Sequence, residues 1–458
     1  MDSPRIHSFF FFFFFFCLVR SYASADLCAN PPHSSSGARD LSIFHANSKC
    51  STFSPPTSLP IDQFQTVLSS AAKDPSRLIY LSSLVAGTKP TTVPVASGQQ
   101  FMQTNNYVLR AKLGTPGQLL FLALDTGSDA AWVPCAGCSS CPAASASFSP
   151  PSSSTYKTVD CASGWCPQFK GPACAAAAQA GSCGYNVSYG GNSFFSATLS
   201  QDTLRLAHDM VPDYVFGCVN SVTGGNSMPK QGLLGLGRGS SSLMAQSLSL
   251  YQGVFSYCLP SFKSYYFSGS LRLGSVGQPK IIRTTPLLLN PHRPSLYYVN
   301  LTAVSIGRGI GRVTVPVPPG SFDFDPQTGA GTVVDSGTVI TRFVGPAYVA
   351  IRDEFRRQVS SSGNYSSLGA FDTCFATTGD LPVTPAVTLH LTGLDLTLPV
   401  ENTLIHSSST PLACLAMAAA PDNVNAVVNV IANYQQQNYR VLLDAANSKV
   451  GFARELCN

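Results

Sequence analysis

The chain has 458 residues, of which 11% are Asp, Glu, Lys or Arg and 44% are apolar. Soluble domains usually carry about a quarter charged residues, so this scarcity excludes a coiled coil and a charged disordered chain, and the 37 glycines and 33 prolines follow no collagen-like period. A net charge of +5 is a weak field for a nucleic-acid binder, whereas fifteen cysteines point to an oxidising compartment.

Residues 9–16 are an unbroken run of phenylalanines, extended by Cys17, Leu18 and Val19 and preceded by Arg5 and His7. The run is about half the length of a membrane-spanning helix and suits the core of a signal peptide. Ala23-Ser24-Ala25 then offers a small-x-small cleavage site before Asp26. No later stretch is apolar for long enough to span a bilayer, and the C-terminus, Arg454-Glu455-Leu456-Cys457-Asn458, carries neither a lipid-anchor tail nor a retention signal.

Residues 26–95 are rich in Ser and Pro, with one amphipathic stretch marked by Ile61, Phe64, Val67 and Leu68 that predicts a short helix. A leader of this composition is a linker or a pro-segment. As an inhibitory pro-segment it would bring a basic side chain, Lys73, Arg77 or Lys89, to an acidic site. Cys17 leaves with the signal, Cys28 and Cys50 lie in the leader, and the other twelve, Cys135 to Cys457, form an even set. Cys135-x-x-Cys138-x-x-Cys141 has a zinc-like spacing, but in an exported chain a disulfide-tied loop is the simpler expectation. Asn186, Asn300 and Asn364 head Asn-x-Ser/Thr triplets and are candidate glycan sites on exposed turns.

From Phe101 onward, short β-branched and aromatic runs alternate with Gly, Pro, Asn and Ser turns. They predict a mainly β body with strands near 107–113, 119–124, 211–218, 271–273, 297–306 and 441–443. Two helices are expected. One spans 240–251, with a serine cap and Leu243, Leu248 and Tyr251 on its inner face. The other spans 346–359, with proline in its first turn and a stripe of Tyr348, Ile351, Phe355 and Val359. Arg352, Arg356 and Arg357 read as the solvated face of the second helix.

Two apolar strands end in the same kind of triplet: Leu122-Ala123-Leu124 runs into Asp125-Thr126-Gly127, and Thr332-Val333-Val334 into Asp335-Ser336-Gly337, 210 residues later. A carboxylate at the end of a buried strand is costly unless hydrogen bonds or function hold it there. Glycine after the hydroxyl residue permits a tight turn. Two such loops set face to face would share one proton between two carboxyls and titrate as a pair. One member then takes a proton from water while the other donates to a scissile carbonyl, which is amide hydrolysis without a covalent intermediate.

At these residues the sequence resembles the pepsin-like aspartic endopeptidases, over about residues 101–458. Asp125-Thr126-Gly127-Ser128-Asp129 with Trp132-Val133-Pro134 looks like the first catalytic loop of that family, and Asp335-Ser336-Gly337-Thr338 like the second. The resemblance implies Asp125 and Asp335 as the catalytic dyad, Thr126 and Ser336 as a cross-link between the loops, and Ser128 and Thr338 as hydroxyl donors to the outer carboxylate oxygens. Tyr189-Gly190-Gly191-Asn192-Ser193 is similar to the flap, with Tyr189 reaching the indole of Trp132. Leu233-Leu234-Gly235 and Val430-Ile431-Ala432-Asn433 resemble the elements threaded behind each loop, Ala432 standing where glycine is usual and Ala197 doing the same beside the flap.

The cysteine content and the Asp-Thr-Gly-Ser-Asp variant look like the plant nepenthesin-like branch, whose cysteine-rich insertion matches Cys135 to Cys183. By the same resemblance Cys374 would pair with Cys414, and Cys258 with Cys457. The implied architecture is a mainly β, bilobal pepsin-like acid protease fold with two related β lobes and a few short helices: signal peptide 1–25, pro-segment or leader 26–95, N-terminal lobe with the insertion 96–285, and C-terminal lobe 286–458. The implied function is a secreted, acid-active endopeptidase of the apoplast or cell wall, or of the vacuole. It would be a monomeric, glycosylated zymogen acting on proteins or peptides, with no cofactor, metal, membrane anchor or nucleic-acid partner.

One rival is a non-catalytic binding or inhibitor protein on the same fold, against which both triplets are intact. A nucleic-acid reading lacks any Lys/Arg run. A serine or cysteine hydrolase lacks a nucleophile elbow, and the seven histidines suggest no triad. Gly235, Gly237 and Gly239 are too close together and lack the lysine of a phosphate loop.

Overall fold

A computed structural model describes residues 40–45, 63–72, 74, 75, 78, 81, 107–141, 147–169, 172–174, 181–188, 194–223, 232–261, 268–359, 364–377, 384–407, 410–421 and 427–457. The signal peptide, Tyr189 and the rest of the flap motif, and Lys73, Arg77 and Lys89 lie outside these residues.

The core is built from apolar strands that run inward and end at polar loops. Gln118–Asp125 is buried over its last six residues, pairs antiparallel with Tyr107–Leu113 and lies parallel to Leu233–Gly235, with Gly235 opposite Asp125. The second half repeats the plan. Gly331–Asp335 is buried throughout and lies parallel to Val428–Ala432, with Ala432 opposite Asp335. In each half the chain then returns antiparallel to the threaded strand, at Leu233↔Trp132 and Arg342↔Val430. The fold is mainly β and bilobal, as the repeat implies.

A sheet joins the halves. Val254–Cys258 pairs with Ser268–Leu273 on one side and Tyr439–Asp444 on the other, and Lys449–Arg454 connects onward to Arg283–Leu288. The leader supplies a strand to this sheet: Asp40–His45 pairs antiparallel with both Ser268–Leu273 and Tyr107–Leu113. Phe44 is buried with Val108 and Phe121, and the Arg110 guanidinium sits 5.3 Å from the Phe44 ring. The predicted leader helix forms at Gln63–Ala71.

The two expected body helices fare differently. Gly345–Gln358 forms with Tyr348, Ile351 and Phe355 buried. Of its arginines Arg357 is exposed, whereas two are not simply solvated: Arg352 pairs with Asp372 at 3.1 Å, and Arg356 donates to Thr373 Oγ1 at 2.9 Å and stacks on Tyr365. They tie the helix to the strand Phe371–Ala376. The 240–251 helix is broken into Leu243–Gln246 and Leu248–Tyr251, because Ser247 leaves helical geometry and bonds the Leu243 carbonyl through its hydroxyl at 2.5 Å. Side chain–backbone bonding of this kind competes with a continuous helix. Leu248, at the start of the second piece, is 59% exposed.

Six disulfides close among the described residues: Cys135–Cys218, Cys138–Cys141, Cys161–Cys174, Cys166–Cys183, Cys258–Cys457 and Cys374–Cys414. The zinc-like triplet is therefore split between two bridges. Cys161, Cys166 and Cys174 also cluster, but each is already in a disulfide, so no thiolate remains to ligate a metal. Among the described residues no helix is long and apolar enough to cross a membrane.

Candidate active site

Asp125 and Asp335 end their strands fully buried or nearly so, at 0% and 1% exposure. Each carboxylate is held in the same way. Gly127 N–H donates to Asp125 Oδ1 at 2.9 Å, and Gly337 N–H to Asp335 Oδ1 at 3.2 Å. Ser128 Oγ donates to Asp125 Oδ2 at 2.5 Å, and Thr338 Oγ1 to Asp335 Oδ2 at 2.6 Å. The spacing of two and three residues lets one tight turn return both donors to the carboxylate that opens it.

Between the loops the bonds are reciprocal. Ser336 N–H donates to Thr126 Oγ1 at 2.9 Å, and Thr126 N–H to Ser336 Oγ at 3.2 Å. The Ser336 hydroxyl continues to the Leu124 carbonyl at 3.3 Å, and the Thr126 hydroxyl to Asp335 Oδ1 at 3.4 Å. Small hydroxyl side chains are needed here, because each must accept from the opposite backbone and donate onward in a buried space.

Behind the second loop, Asn433 Nδ2 donates to the Ser336 carbonyl at 2.9 Å. Gln436 Nε2 donates to the Asp335 carbonyl at 3.3 Å and accepts at Oε1 from Tyr257 Oη at 2.6 Å. Tyr257 comes from the sheet that joins the halves, so the lobe junction is coupled to the loop by two hydrogen bonds. Burial, with Asp335 close by, pushes its phenol well above the ordinary range and keeps it a donor. Behind the first loop, Asp129 accepts from Gly239 N–H at 2.8 Å and from the Ser295 hydroxyl. The closely spaced glycines have their reason here: a Cβ on Gly235, Gly237 or Gly239 would lie 2.0–2.2 Å from an Asp129 oxygen.

A family model described as xylanase inhibitor N-terminal matches residues 107–275, and one described as xylanase inhibitor C-terminal matches 296–454. The chain is 57% identical over its full length, and that of the relative, to "Aspartyl protease AED3" of Arabidopsis thaliana. It is 54% identical to "Aspartyl protease 25" of Oryza sativa subsp. japonica, over 92% of this chain and 95% of the relative. It is 32% identical to "Aspartic proteinase nepenthesin-1" of Nepenthes gracilis, over 87% of each. The chain belongs to the pepsin-like aspartic endopeptidases, in their plant nepenthesin-like branch. Among solved structures, basic 7S globulin from soybean shares the fold, with a TM-score of 0.60 at 20% identity over 78% of this chain and 97% of that one.

In this aspartic protease chain Trp132 is 2% exposed and packs on Phe195 at 5.3 Å between ring centroids, with Tyr185 5.7 Å from Phe195. Ala197, in the same cluster, is 3% exposed. A Cβ on Gly217 would lie 3.2–3.4 Å from Tyr185, Trp132 and Ala197, so the methyl group that departs from the family pattern sits in a tightly filled core. The glycan candidates are placed unevenly. Asn186 is exposed, but on the strand Gly184–Ser188 rather than a turn. Asn364 is exposed. Asn300 is half-buried and donates Nδ2 to Thr392 at 2.9 Å.

Sequence reasoning missed three constellations in this protease. The leader strand and Asp74 pack into the body. Asp129 anchors the first loop to Ser295. His390 lies between Ser305 Oγ, at 2.5 Å from Nε2, and Asp395 Oδ1, at 2.7 Å from Nδ1, so the histidines do form one triad-like chain. Ser305 is a 2%-exposed residue of a paired strand. The chain therefore braces a sheet: a nucleophile needs access to substrate. Residues this far apart in sequence leave no local signal.

Proposed function

We propose that this chain is a secreted aspartic endopeptidase in which Asp125 and Asp335 share one proton, activate a water and cleave protein or peptide substrates at acidic pH. The observation that carries the reading is the reciprocal pair of bonds between Thr126 and Ser336. It joins two mirrored loops, each presenting a buried carboxyl with matching donors. Two carboxyls held in one low-dielectric site resist double ionisation. The ionised member acts as general base on the water, and the protonated member as general acid to the carbonyl. Tyr189 would close over the substrate. The oxidised cysteines and the relatives' family fit an extracellular protein, in the apoplast or cell wall, or delivered to a vacuole. Asn186 and Asn364 are the better-exposed glycan sites, and residues 26–95 are the pro-segment removed or displaced on activation.

The test is cleavage of a peptide library at pH 3–6 by processed protein, with and without a statine-type inhibitor, beside Asp125→Asn. Inhibitor-sensitive cleavage that Asp125→Asn abolishes supports the reading. Cleavage that survives in Asp125→Asn overturns the dyad, and no cleavage by the wild type overturns the reading in favour of a binding protein on the same fold.

A further inference from the structure

The leader does more than add a strand. Asp74 is fully buried, and a buried carboxyl requires dedicated partners. Its Oδ1 accepts the Val339 N–H at 2.8 Å, and its Oδ2 accepts the Ile340 N–H at 2.9 Å. These two residues directly follow Thr338, which donates to Asp335. The Arg342 guanidinium completes the site, with Nε 3.7 Å from Oδ2. Arg342 is itself buried. It donates to the Ala71 carbonyl at the end of the leader helix, at 2.8 Å, and to the Ala419 carbonyl at 2.9 Å. A cation at a helix C-terminus satisfies a carbonyl that has no partner within the helix.

Apolar contacts set the register of this carboxyl. Phe64, Val67, Leu68 and Ala71 recur at helical spacing and pack in one cluster with Val339, Ile340 and Tyr434. Leu78 and Leu81 pack farther along, against Val333 and Val430. These body residues line the strands and turns that carry the second catalytic loop. Among the described residues, the Val339 and Ile340 amides donate outward to the leader.

We propose that the C-terminal lobe carries a carboxyl-binding site, built from the Val339 and Ile340 N–H groups and the Arg342 guanidinium, whose ligand is Asp74 of the chain's own leader, and that through this site the leader holds the backbone of the second catalytic loop. The site deepens the pro-segment reading and rests on it. It makes the leader an ordering element for the loop as well as a cover. It also predicts that a leader severed from the body between residues 82 and 106 stays attached.

The experiment is amide hydrogen exchange with mass spectrometry on the full-length chain, comparing wild type, Asp74→Ala and the isosteric Asp74→Asn. Exchange in Asp74→Ala is expected to rise at least tenfold both at residues 339–340 and in 63–71, with a smaller rise in Asp74→Asn and none in the reference segment 118–125. Unchanged exchange at 339–340 in both variants overturns the proposal, whatever the helix does. Where Asp74→Ala does not fold, the isosteric variant alone decides. Peptide cleavage is measured separately: a wild type that cleaves nothing while exchange responds sinks the dyad reading and leaves the site standing, and the converse result does the opposite.

Discussion

Ser295 donates its hydroxyl proton to Asp129, four residues past Asp125. The bond crosses from the entry of the C-terminal half to the first loop, and the same carboxylate also accepts the Gly239 N–H at 2.8 Å. Asp129 thus ties the Asp125 loop to Ser295 and Gly239. Its cradle is narrow, since a Cβ at Gly237 would lie 2.2 Å from its Oδ1. Asp129→Ala leaves two donors without their acceptor, at about 1–3 kcal/mol for each that stays buried. Gly237→Ala should cost a similar amount through overpacking. Both variants should unfold at lower denaturant concentration than wild type, and Asp129→Asn should lie between. A midpoint for Asp129→Ala equal to that of wild type would show the anchor to be idle.

The sequence made some of this legible because the signal was local. An aspartate at the end of an apolar strand, followed by a small hydroxyl and a glycine, is anomalous wherever it stands, and two copies halve the ambiguity. The helical spacing of Phe64, Val67 and Leu68 also lies within one short segment. What stayed hidden depends on pairing across the chain. Asp40–His45 reads as part of a Ser/Pro-rich leader until Ser268–Leu273 is beside it. Asp74 looks like any surface acid until two amides 265 and 266 residues away turn toward it. The broken helix at Ser247 shows the opposite failure, in which a strong local pattern gave way to one hydroxyl–carbonyl bond.

Thr126→Val removes the acceptor for the Ser336 N–H and the donor to Asp335 while keeping the shape of the side chain. A buried amide left unsatisfied costs about 1–3 kcal/mol. If that cost falls on the geometry of the dyad, kcat should drop roughly tenfold to a hundredfold with KM little changed, because the substrate-facing surface is untouched. Thr126→Ser should restore most of the rate. A normal kcat in Thr126→Val, measured on the peptide that Asp125→Asn fails to cleave, would place the cross-link outside the chemistry.

His45 gives the leader strand its own pH response. It is 1% exposed, packs edge-on to Tyr107, and burial pushes its pKa down to about 3 from an ordinary 6.5. A base with a depressed pKa in the docked state contributes stability that is present above its undocked pKa and lost as pH falls through the docked one. The pairing of Asp40–His45 with Ser268–Leu273 should therefore weaken as pH falls from about 6.5 toward 3. Exchange at 40–45, corrected for its intrinsic pH dependence, should rise over that window in wild type and much less in His45→Gln. Equal slopes in the two proteins would count against His45.

Asp74 should act in the opposite sense. Desolvation raises its pKa from 3.8 to about 7, against the opposing pull of Arg342 and the Val339 and Ile340 amides and with a small push from Asp335. For an acid whose docked pKa lies above its undocked value, docking takes up a proton. The linked stability is then complete below about 3.8 and is lost as pH rises through about 7. The segment 63–81 should consequently stay docked at pH 5 and loosen at pH 8, while the strand 40–45 follows the reverse trend. Acidification would then peel the strand from the lobe junction while the anchor beside the second loop stays docked. Intrinsic-rate-corrected exchange at 63–71 should be faster at pH 8 than at pH 5 in wild type, and Asp74→Asn, which cannot ionise, should flatten the difference. Faster exchange at pH 5, or a wild-type slope preserved in Asp74→Asn, would reverse this order of release.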